Sequence, residues 1–282
     1  MTSQTLAAAA AGTGQLGAFT VNRLGYGAMR LTGDRDRSIA VLRRAVELGV
    51  NHLDTAAFYF SATHSANELI NTALAPYPDD LVITTKVGPG RDASGDWLPA
   101  ATPAQLRGQV EENLRQLGRD HLDVVNLRIG DALERGTGPI ADRFGALAEL
   151  RGAGLIRELG ISNVSPAHLA EARAIAPVVC VQNQYGLSAR REDDELVRLC
   201  AEQGIAFVPF FAIASGQAEQ RVETVARRLG VTPSQVRLAW TLHQGPNVLA
   251  IPGTGDPAHL EENVAAAALT LSDEDLVTLD AA

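Results

Sequence analysis

The stretch around which this sequence is organised is Asn51-His52-Leu53-Asp54-Thr55-Ala56-Ala57-Phe58-Tyr59. It has the pattern of a short buried strand that runs into a loop, with a carboxylate at the strand end and a phenol five residues later. The next apolar run, residues 81–85, ends in Lys86. Because a cation beside a phenol makes the phenol a usable proton donor, we predict that Asp54, Tyr59 and Lys86 act together.

Composition limits the classes of function. The chain has 282 residues, of which 46% are hydrophobic and 20% charged, which is typical of a globular enzyme with a sizeable core. The net charge of −9 argues against a nucleic acid or an anionic membrane as partner, and no apolar run approaches the ~18 residues of a membrane span. Cys180 and Cys200 are the two cysteines; we predict buried thiols without a disulfide, as in a cytoplasmic protein.

Short apolar runs alternate with amphipathic helical patterns along the chain. The predicted strands are residues 25–29, 50–54, 81–86, 122–128, 157–161, 178–182, 205–210 and 248–251. The predicted helices are residues 36–48, 65–74, 103–117, 141–152, 166–175, 192–203, 219–229, 234–244 and 257–267. Four of these helices begin with a capping side chain and a proline: Thr102-Pro103, Ser165-Pro166, Thr232-Pro233 and Asp256-Pro257.

Eight strands separated by helices predict the α/β class and a (β/α)8 TIM barrel. We expect a single domain over residues 14–282, opened by a short N-terminal β-hairpin, and a flexible segment over residues 1–13. The alternative is a doubly wound sheet, which requires a glycine-rich phosphate loop after the first strand. Residues 24–29 contain glycines but lack the full spacing of such a loop.

Polar residues stand at the ends of five consecutive predicted strands, where a barrel of this kind builds its active site. They are Asp54, Lys86, Arg128, Ser162 with Asn163, and Gln182. These side chains are therefore predicted to surround one pocket.

The motifs at these strand ends resemble the aldo-keto reductase family, and the resemblance extends from about Gly14 to Asp280. The motifs are residues 54–59, Thr85-Lys86, residues 160–165, residues 181–185, and residues 251–254 with Glu262-Asn263. The resemblance implies hydride transfer between a nicotinamide cofactor and an aldehyde or ketone, with Tyr59 as general acid and Lys86, paired with Asp54, making it more acidic. The alternative is that Asp54 and Lys86 form a plain buried ion pair beside a loop tyrosine. No metal site is implied.

The same resemblance implies how the cofactor is bound. Ser162, Asn163 and Gln182 would hold the nicotinamide carboxamide, and Phe210 would stack on its ring; a turn hydroxyl (Ser162) and core packing (Phe210) are the alternatives. The adenosine end would be held by Gly253, Thr254, His259, Glu262 and Asn263. Gly253 and His259 stand where many members of the family have lysine and arginine, so a weaker phosphate grip is expected, with Asp256 acting as a helix cap. We expect NADPH (NADP+) in preference to NADH.

One departure from the family concerns catalysis. The fourth predicted strand ends in Arg128, where the family has a histidine. An arginine stays charged and cannot exchange a proton, but it can stabilise an alkoxide. We therefore hypothesise a reductase of activated carbonyls with Arg128 as an electrostatic helper; pairing of Arg128 with a carboxylate such as Asp131 is the alternative. The competing functions are a regulatory or redox-sensing NADP(H)-binding protein with weak or no catalysis and a structural barrel without a cofactor.

Overall fold

The computed structural model describes residues 7–130, 134–189, 193–214, 216 and 218–281. The strands in chain order are β1 (Thr13–Leu16), β2 (Phe19–Asn22), β3 (Tyr26–Gly27), β4 (His52–Asp54), β5 (Val82–Val87), β6 (Gly90–Arg91), β7 (Trp97–Leu98), β8 (Leu122–Arg128), β9 (Ile156–Ser162), β10 (Cys180–Gln182) and β11 (Ala206–Phe207). Seven of them form one parallel sheet in the order β11-β10-β9-β8-β5-β4-β3.

Residues 247–252 join the two edges of this sheet and close it. Val248 pairs in parallel with Phe207 of β11, and Ala250 pairs in parallel with Leu24, just before β3. The amide of Leu249 donates to the Phe207 carbonyl at 2.9 Å, and the amide of Gly25 donates to the Ala250 carbonyl at 2.8 Å. The predicted eight-stranded barrel is confirmed, and the doubly wound sheet is excluded because the two sheet edges are joined.

The helices surround the sheet. They are α1 (Arg35–Glu47), α2 (Ala66–Leu74), α3 (Pro103–Leu117), α4 (Ala141–Gly152), α5 (Pro166–Arg173), α6 (Asp194–Glu202), α7 (Glu219–Leu229), α8 (Pro233–His243), α9 (Pro257–Ala265) and α10 (Asp273–Asp280). The four predicted cap-proline starts are confirmed at α3, α5, α8 and α9. None of the helices in the described residues combines the length and the apolar character that crossing a membrane requires.

Helix α10 and the hairpin of β6 and β7 were not predicted. Helix α10 has a capping box in which Ser272 and Asp275 bond each other's backbone amides, a signal that the sequence contains but that we did not use. The short strands β6 and β7 form an antiparallel hairpin, and two-residue strands are too short to give a periodic pattern. Residues 90–98, which comprise this hairpin, are called the flap below.

The N-terminal hairpin β1–β2 closes the bottom of the barrel. Leu16 and Val21 are fully buried and pack with Val82, Val124 and Leu249 in the barrel interior. Before the hairpin, Ala8–Ala11 forms a 3-10 helix. The amide of Ala8 donates to the Leu48 carbonyl at 2.8 Å, which fixes this helix to the end of α1. The strand ends that carry the polar residues lie at the opposite end of the barrel.

Candidate active site

A buried ion pair forms the base of the site. Asp54 ends β4, and Lys86 lies one residue from the end of the adjacent strand β5. Nζ of Lys86 lies 2.5 Å from Oδ1 of Asp54 and also donates to the carbonyl oxygen of Thr55 at 3.1 Å. Lys86 is 3% and Asp54 4% exposed, so the charges are screened little by water.

Lys86 keeps its positive charge in this buried position. Burial by itself lowers the pKa of an ammonium group, but the negative charge of Asp54 and the interaction with Tyr59 outweigh burial, and the pKa of Lys86 is raised above its ordinary value. The ammonium group therefore acts as a fixed cation beneath the phenol of Tyr59, whose ring centroid is 5.0 Å from Nζ.

Tyr59, Lys86 and Asp54 line one cavity of about 730 Å³ at this end of the barrel, a volume within the range of small-molecule sites. Aromatic and apolar side chains form most of its wall. They include Met29, Phe58, Phe60, Trp97, Leu98, Phe210 and Phe211. The cations on the wall besides Lys86 are Arg30, Arg91 and Arg128. The predicted catalytic residues thus share a cavity suited to an apolar ligand with anionic or polar groups.

Gln182 connects the expected carboxamide site to the ion pair. Its Nε2 donates to Oδ2 of Asp54 at 2.7 Å, so both carboxylate oxygens of Asp54 have a partner. Its Oε1 is buried and has no hydrogen-bond partner among the described residues. An unpaired buried acceptor is costly, and it is placed to receive an N–H donor.

Arg128 is half-buried at the end of β8 and contacts the end of β9 and the segment that follows β11. Its Nη1 donates to Oγ of Ser162 at 3.3 Å, and its guanidinium carbon lies 5.1 Å from the ring centroid of Phe210. Ser162 is fully buried. The structure therefore brings Arg128, Ser162 and Phe210 together, while Asp131, the carboxylate considered as a partner for Arg128, lies outside the described residues.

Asn163 has a structural contact of its own. It adopts a left-handed backbone with φ of 64°, a conformation that asparagine tolerates better than most residues. Its Nδ2 donates to the carbonyl of Ile129 at 3.0 Å and to the carbonyl of Glu134. These bonds fix the end of β9 to the loop that follows Arg128.

The segment from Gly253 to Asn263 lies beside this cavity, which Gly253 lines. Asp256 caps α9 by accepting from the amides of Ala258 at 2.8 Å and His259 at 3.2 Å; these bonds lower the pKa of Asp256. Thr254 is buried, and its carbonyl accepts from the hydroxyl of Tyr26 at 2.5 Å.

The remaining three side chains of this predicted set have different surroundings. His259 is exposed. Glu262 accepts from Oγ1 of Thr232 at 2.6 Å, and this bond joins α9 to the start of α8. Asn263 is buried. None of the three lines the cavity in the described residues.

Two arginines at the cavity were not singled out from the sequence. Arg91 of the flap has its guanidinium carbon 4.9 Å from the ring centroid of Phe60 and 5.6 Å from that of Trp97. It also donates to the Gly95 carbonyl at 2.6 Å. Arg30 is exposed at the mouth of the cavity, next to Gly253. The glycine-bearing run that precedes Arg30 was the available signal, but a lone arginine after it has no distinctive spacing.

The comparisons with known proteins agree with this geometry. The model of the Aldo/keto reductase family matches residues 23–282. A pyridoxine 4-dehydrogenase of Escherichia coli is 50% identical over 277 residues, which cover 94% of this chain and 96% of that protein.

Two solved structures are also similar. A thermostable aldo-keto reductase in complex with the inhibitor epalrestat aligns with a TM-score of 0.80 and 30% identity over 95% of this chain and 98% of that one. An aldo-keto reductase of Klebsiella pneumoniae in complex with NADPH aligns with a TM-score of 0.78 and 27% identity over 93% and 90%. With the closed barrel and the buried Asp54–Lys86 pair below Tyr59, these matches show that the chain belongs to the aldo/keto reductase family.

Proposed function

We propose that this protein is an NADPH-dependent reductase that converts an aldehyde or ketone to an alcohol, with Tyr59 as the general acid. The observation that carries the proposal is the position of Tyr59 on the wall of the cavity, above a lysine that is kept charged by Asp54. A plain buried ion pair would not require a phenol at the cavity surface, so this geometry favours the catalytic reading.

Tyr59, Lys86 and Asp54 each have a separate role in the proposed reduction. NADPH, when bound, supplies the hydride that the carbonyl carbon accepts. Tyr59 donates its hydroxyl proton to the carbonyl oxygen, so that one C–H and one O–H bond form as the C=O double bond is reduced. Lys86 stabilises the phenolate that remains on Tyr59, and Asp54 holds Lys86 in its charged form. The aromatic wall around Phe58 and Phe210 limits the access of water to the reacting atoms.

The nicotinamide end of the cofactor fits the residues at the strand ends. The buried, unpaired Oε1 of Gln182 is an acceptor suited to the amide N–H of a carboxamide. Ser162 lies beside it at the end of the adjacent strand, and the ring of Phe210 lines the cavity and offers a stacking surface. We therefore propose Ser162, Asn163, Gln182 and Phe210 for the nicotinamide.

At the other end of the cofactor, we propose that Gly253, Thr254, His259, Glu262 and Asn263 surround the adenosine. The Klebsiella relative was solved with NADPH, which supports NADPH over NADH as the cofactor of this protein.

For the substrate we propose pyridoxal, the 4-aldehyde that corresponds to pyridoxine. In the reverse direction the enzyme would oxidise pyridoxine to pyridoxal. The support is the 50% identity to a pyridoxine 4-dehydrogenase over nearly the whole of both chains. The cavity wall is rich in aromatic side chains, which offer stacking surfaces to a flat ring. The net charge of −9 favours a small molecule over a nucleic acid or an anionic membrane as partner. The two buried free thiols fit a cytoplasmic location, which we propose.

Arg128 is proposed as an electrostatic helper. A guanidinium group at the cavity wall can stabilise negative charge that develops on the carbonyl oxygen or on an adjacent oxygen substituent. Since arginine cannot exchange a proton, Tyr59 must be reprotonated from solvent. The competing function, a regulatory or redox-sensing NADP(H)-binding protein, draws its support from the same replacement of histidine by Arg128.

The test is the rate of NADPH oxidation with pyridoxal, with an aliphatic aldehyde and with an α-keto compound. The wild type is compared with Tyr59→Phe, Arg128→Ala and Arg128→His. We expect Tyr59→Phe to lower kcat by about 10²- to 10⁴-fold, and Arg128→Ala to lower kcat/KM on every substrate that the wild type reduces. Binding of NADPH without turnover on any of these carbonyls would instead favour the regulatory function, and an unchanged Arg128→Ala enzyme would remove the role given to Arg128.

A further inference from the structure

Arg30 offers a cation to the cavity. It ends the 3-10 helix Ala28–Arg30, directly after β3, and lines the cavity that also contains Tyr59 and Lys86. The side chain is exposed, and within the part of the chain that the structure describes it has no hydrogen-bond or ion-pair partner. An exposed arginine without a partner at the mouth of a ligand cavity is available to a ligand.

The backbone beside Arg30 explains why position 30, and not position 253, provides a positive charge here. A β-carbon at Gly253 would lie 2.5 Å from the carbonyl oxygen of Gly27, so any residue other than glycine at position 253 would force the backbone to move. The same β-carbon would lie 3.7 Å from Cγ of Arg30. The space next to Gly253 is thus adjacent to the aliphatic part of Arg30, and the guanidinium group is within reach of a ligand that passes over Gly253.

Two arginines of α1 and two amides at the start of α9 already have carboxylate partners. The carboxylate of Asp256 accepts from the amides of Ala258 and His259 at the start of α9, so these amides are not offered to an anion. Arg37 pairs with the same carboxylate. Arg44 pairs with Glu261 at 2.8 Å and Glu47 at 3.2 Å.

We propose that Arg30 binds a phosphate group of the dinucleotide cofactor and contributes a main part of the positive charge that this end of the site presents. The assignment rests on the proposed function, because it requires NADPH as ligand. A guanidinium group matches a phosphate with two parallel N–H···O bonds. The 2′-phosphate and the diphosphate share this chemistry, and they are distinguished by the fact that NADH contains only the diphosphate.

The test is isothermal titration of the purified protein with NADPH and with NADH, which measures binding without turnover. The variants are Arg30→Gln, Arg30→Lys and, as a matched control, Arg35→Gln, which changes an exposed arginine outside the cavity. We expect Arg30→Gln to raise the Kd for NADPH by about 10- to 100-fold, Arg30→Lys to recover part of this loss, and Arg35→Gln to bind like the wild type. Thermal unfolding of each variant checks that the fold is retained.

The outcomes separate the two assignments. A loss confined to NADPH identifies the 2′-phosphate as the group that Arg30 contacts, and an equal loss for NADH identifies the diphosphate. If the Kd of Arg30→Gln for NADPH is within about 2-fold of the wild-type value, the role of Arg30 is overturned and the proposed function is not affected. A wild-type protein that binds neither dinucleotide overturns the proposed function, and the role of Arg30 with it.

Discussion

Gln182 donates a hydrogen bond of 2.7 Å to Oδ2 of Asp54, although the two residues lie 128 positions apart in the chain. The other carboxylate oxygen accepts from Lys86 at 2.5 Å. A carboxylate held on both sides is fixed in position, which matters because a buried ion pair is favourable only with good geometry and satisfied hydrogen bonds. Asp54 thus acts on Lys86, and Lys86 in turn acts on Tyr59.

Replacement of this carboxylate should change the pH dependence of the enzyme. In Asp54→Asn the amide keeps the shape of the side chain, but the charge that opposes the effect of burial on Lys86 is removed. Since burial lowers the pKa of an ammonium group, Lys86 should lose its proton at a lower pH than in the wild type, in which its pKa is raised. We expect the alkaline limb of the pH profile of kcat/KM to move to lower pH, and kcat to fall by about 10²-fold.

The matched control for this experiment is Asp123→Asn, which removes a buried carboxylate that pairs with Arg119 at 3.1 Å at the opposite end of the barrel. It should lower stability but leave the alkaline limb in place. If the limb is the same in Asp54→Asn and wild type, Asp54 does not control the charge of Lys86.

Trp97 should determine how well aromatic substrates bind. The residue is 59% exposed and lines the cavity, and its ring lies 5.7 Å from the ring of Phe58, which in turn lies 5.1 Å from that of Tyr59. Arg91 stacks between Trp97 and Phe60 and holds the flap. We expect Trp97→Ala to raise KM for pyridoxal by about 3- to 10-fold with a small change in kcat, and to affect an aliphatic aldehyde less.

Trp97→Phe, which keeps a ring, serves as the control and should retain most of the affinity. The protein has two tryptophans, and the other, Trp240, is fully buried. Loss of the ligand-induced change in tryptophan fluorescence in Trp97→Phe would therefore confirm that the signal arises at the flap. Equal increases in KM for aromatic and aliphatic aldehydes would contradict a role in ring recognition.

The sequence was sufficient to predict the barrel and the strand ends of the site. Asp54, Lys86, Arg128, Ser162 and Gln182 are local signals, since each is a polar residue that ends an apolar run, and parallel strands bring such ends to one side of a barrel. The starts of four helices were equally local, because a capping side chain followed by proline leaves few other conformations.

The contacts that could not be predicted are those between distant parts of the chain. The bond from Gln182 to Asp54 depends on the closure of the barrel, which places β10 across from β4. Arg91 acts through the flap, whose two-residue strands have no periodic pattern. The assignment of Arg30 depends on the close approach of Gly253 to Gly27, which is a property of the folded backbone.

His52 should make the protein less stable in mild acid. It is fully buried, and this burial lowers its pKa to about 4, with Asp54 opposing and Lys86 assisting the shift. Between pH 6.5 and 4 the unfolded chain binds a proton at this residue and the folded chain does not, so the stabilisation present above pH 6.5 is lost as the pH falls. We expect the wild type to lose about 2 kcal/mol of unfolding free energy from this residue between pH 7 and pH 5.

The measurement for His52 is urea unfolding of the wild type and His52→Gln at both pH values. The variant is expected to be less stable at pH 7, because the Thr84 contact at 3.3 Å is altered, but to lose less stability on acidification. If both proteins lose the same free energy between pH 7 and pH 5, His52 does not titrate as its burial implies.

Leu16 should be important for stability and unimportant for catalysis. Its side chain is fully buried where the β1–β2 hairpin closes the bottom of the barrel, at the end opposite to Tyr59. Leu16→Ala is expected to lower the free energy of unfolding by about 2–5 kcal/mol, through lost burial and a cavity, while kcat and KM at a temperature below unfolding stay within about 2-fold. Thr20→Ala, at an exposed position of the same hairpin, should cost less than about 0.5 kcal/mol. A Leu16→Ala enzyme with native stability would mean that the hairpin does not close the barrel in solution. A KM that changes by more than about 2-fold would mean that the hairpin acts on the site.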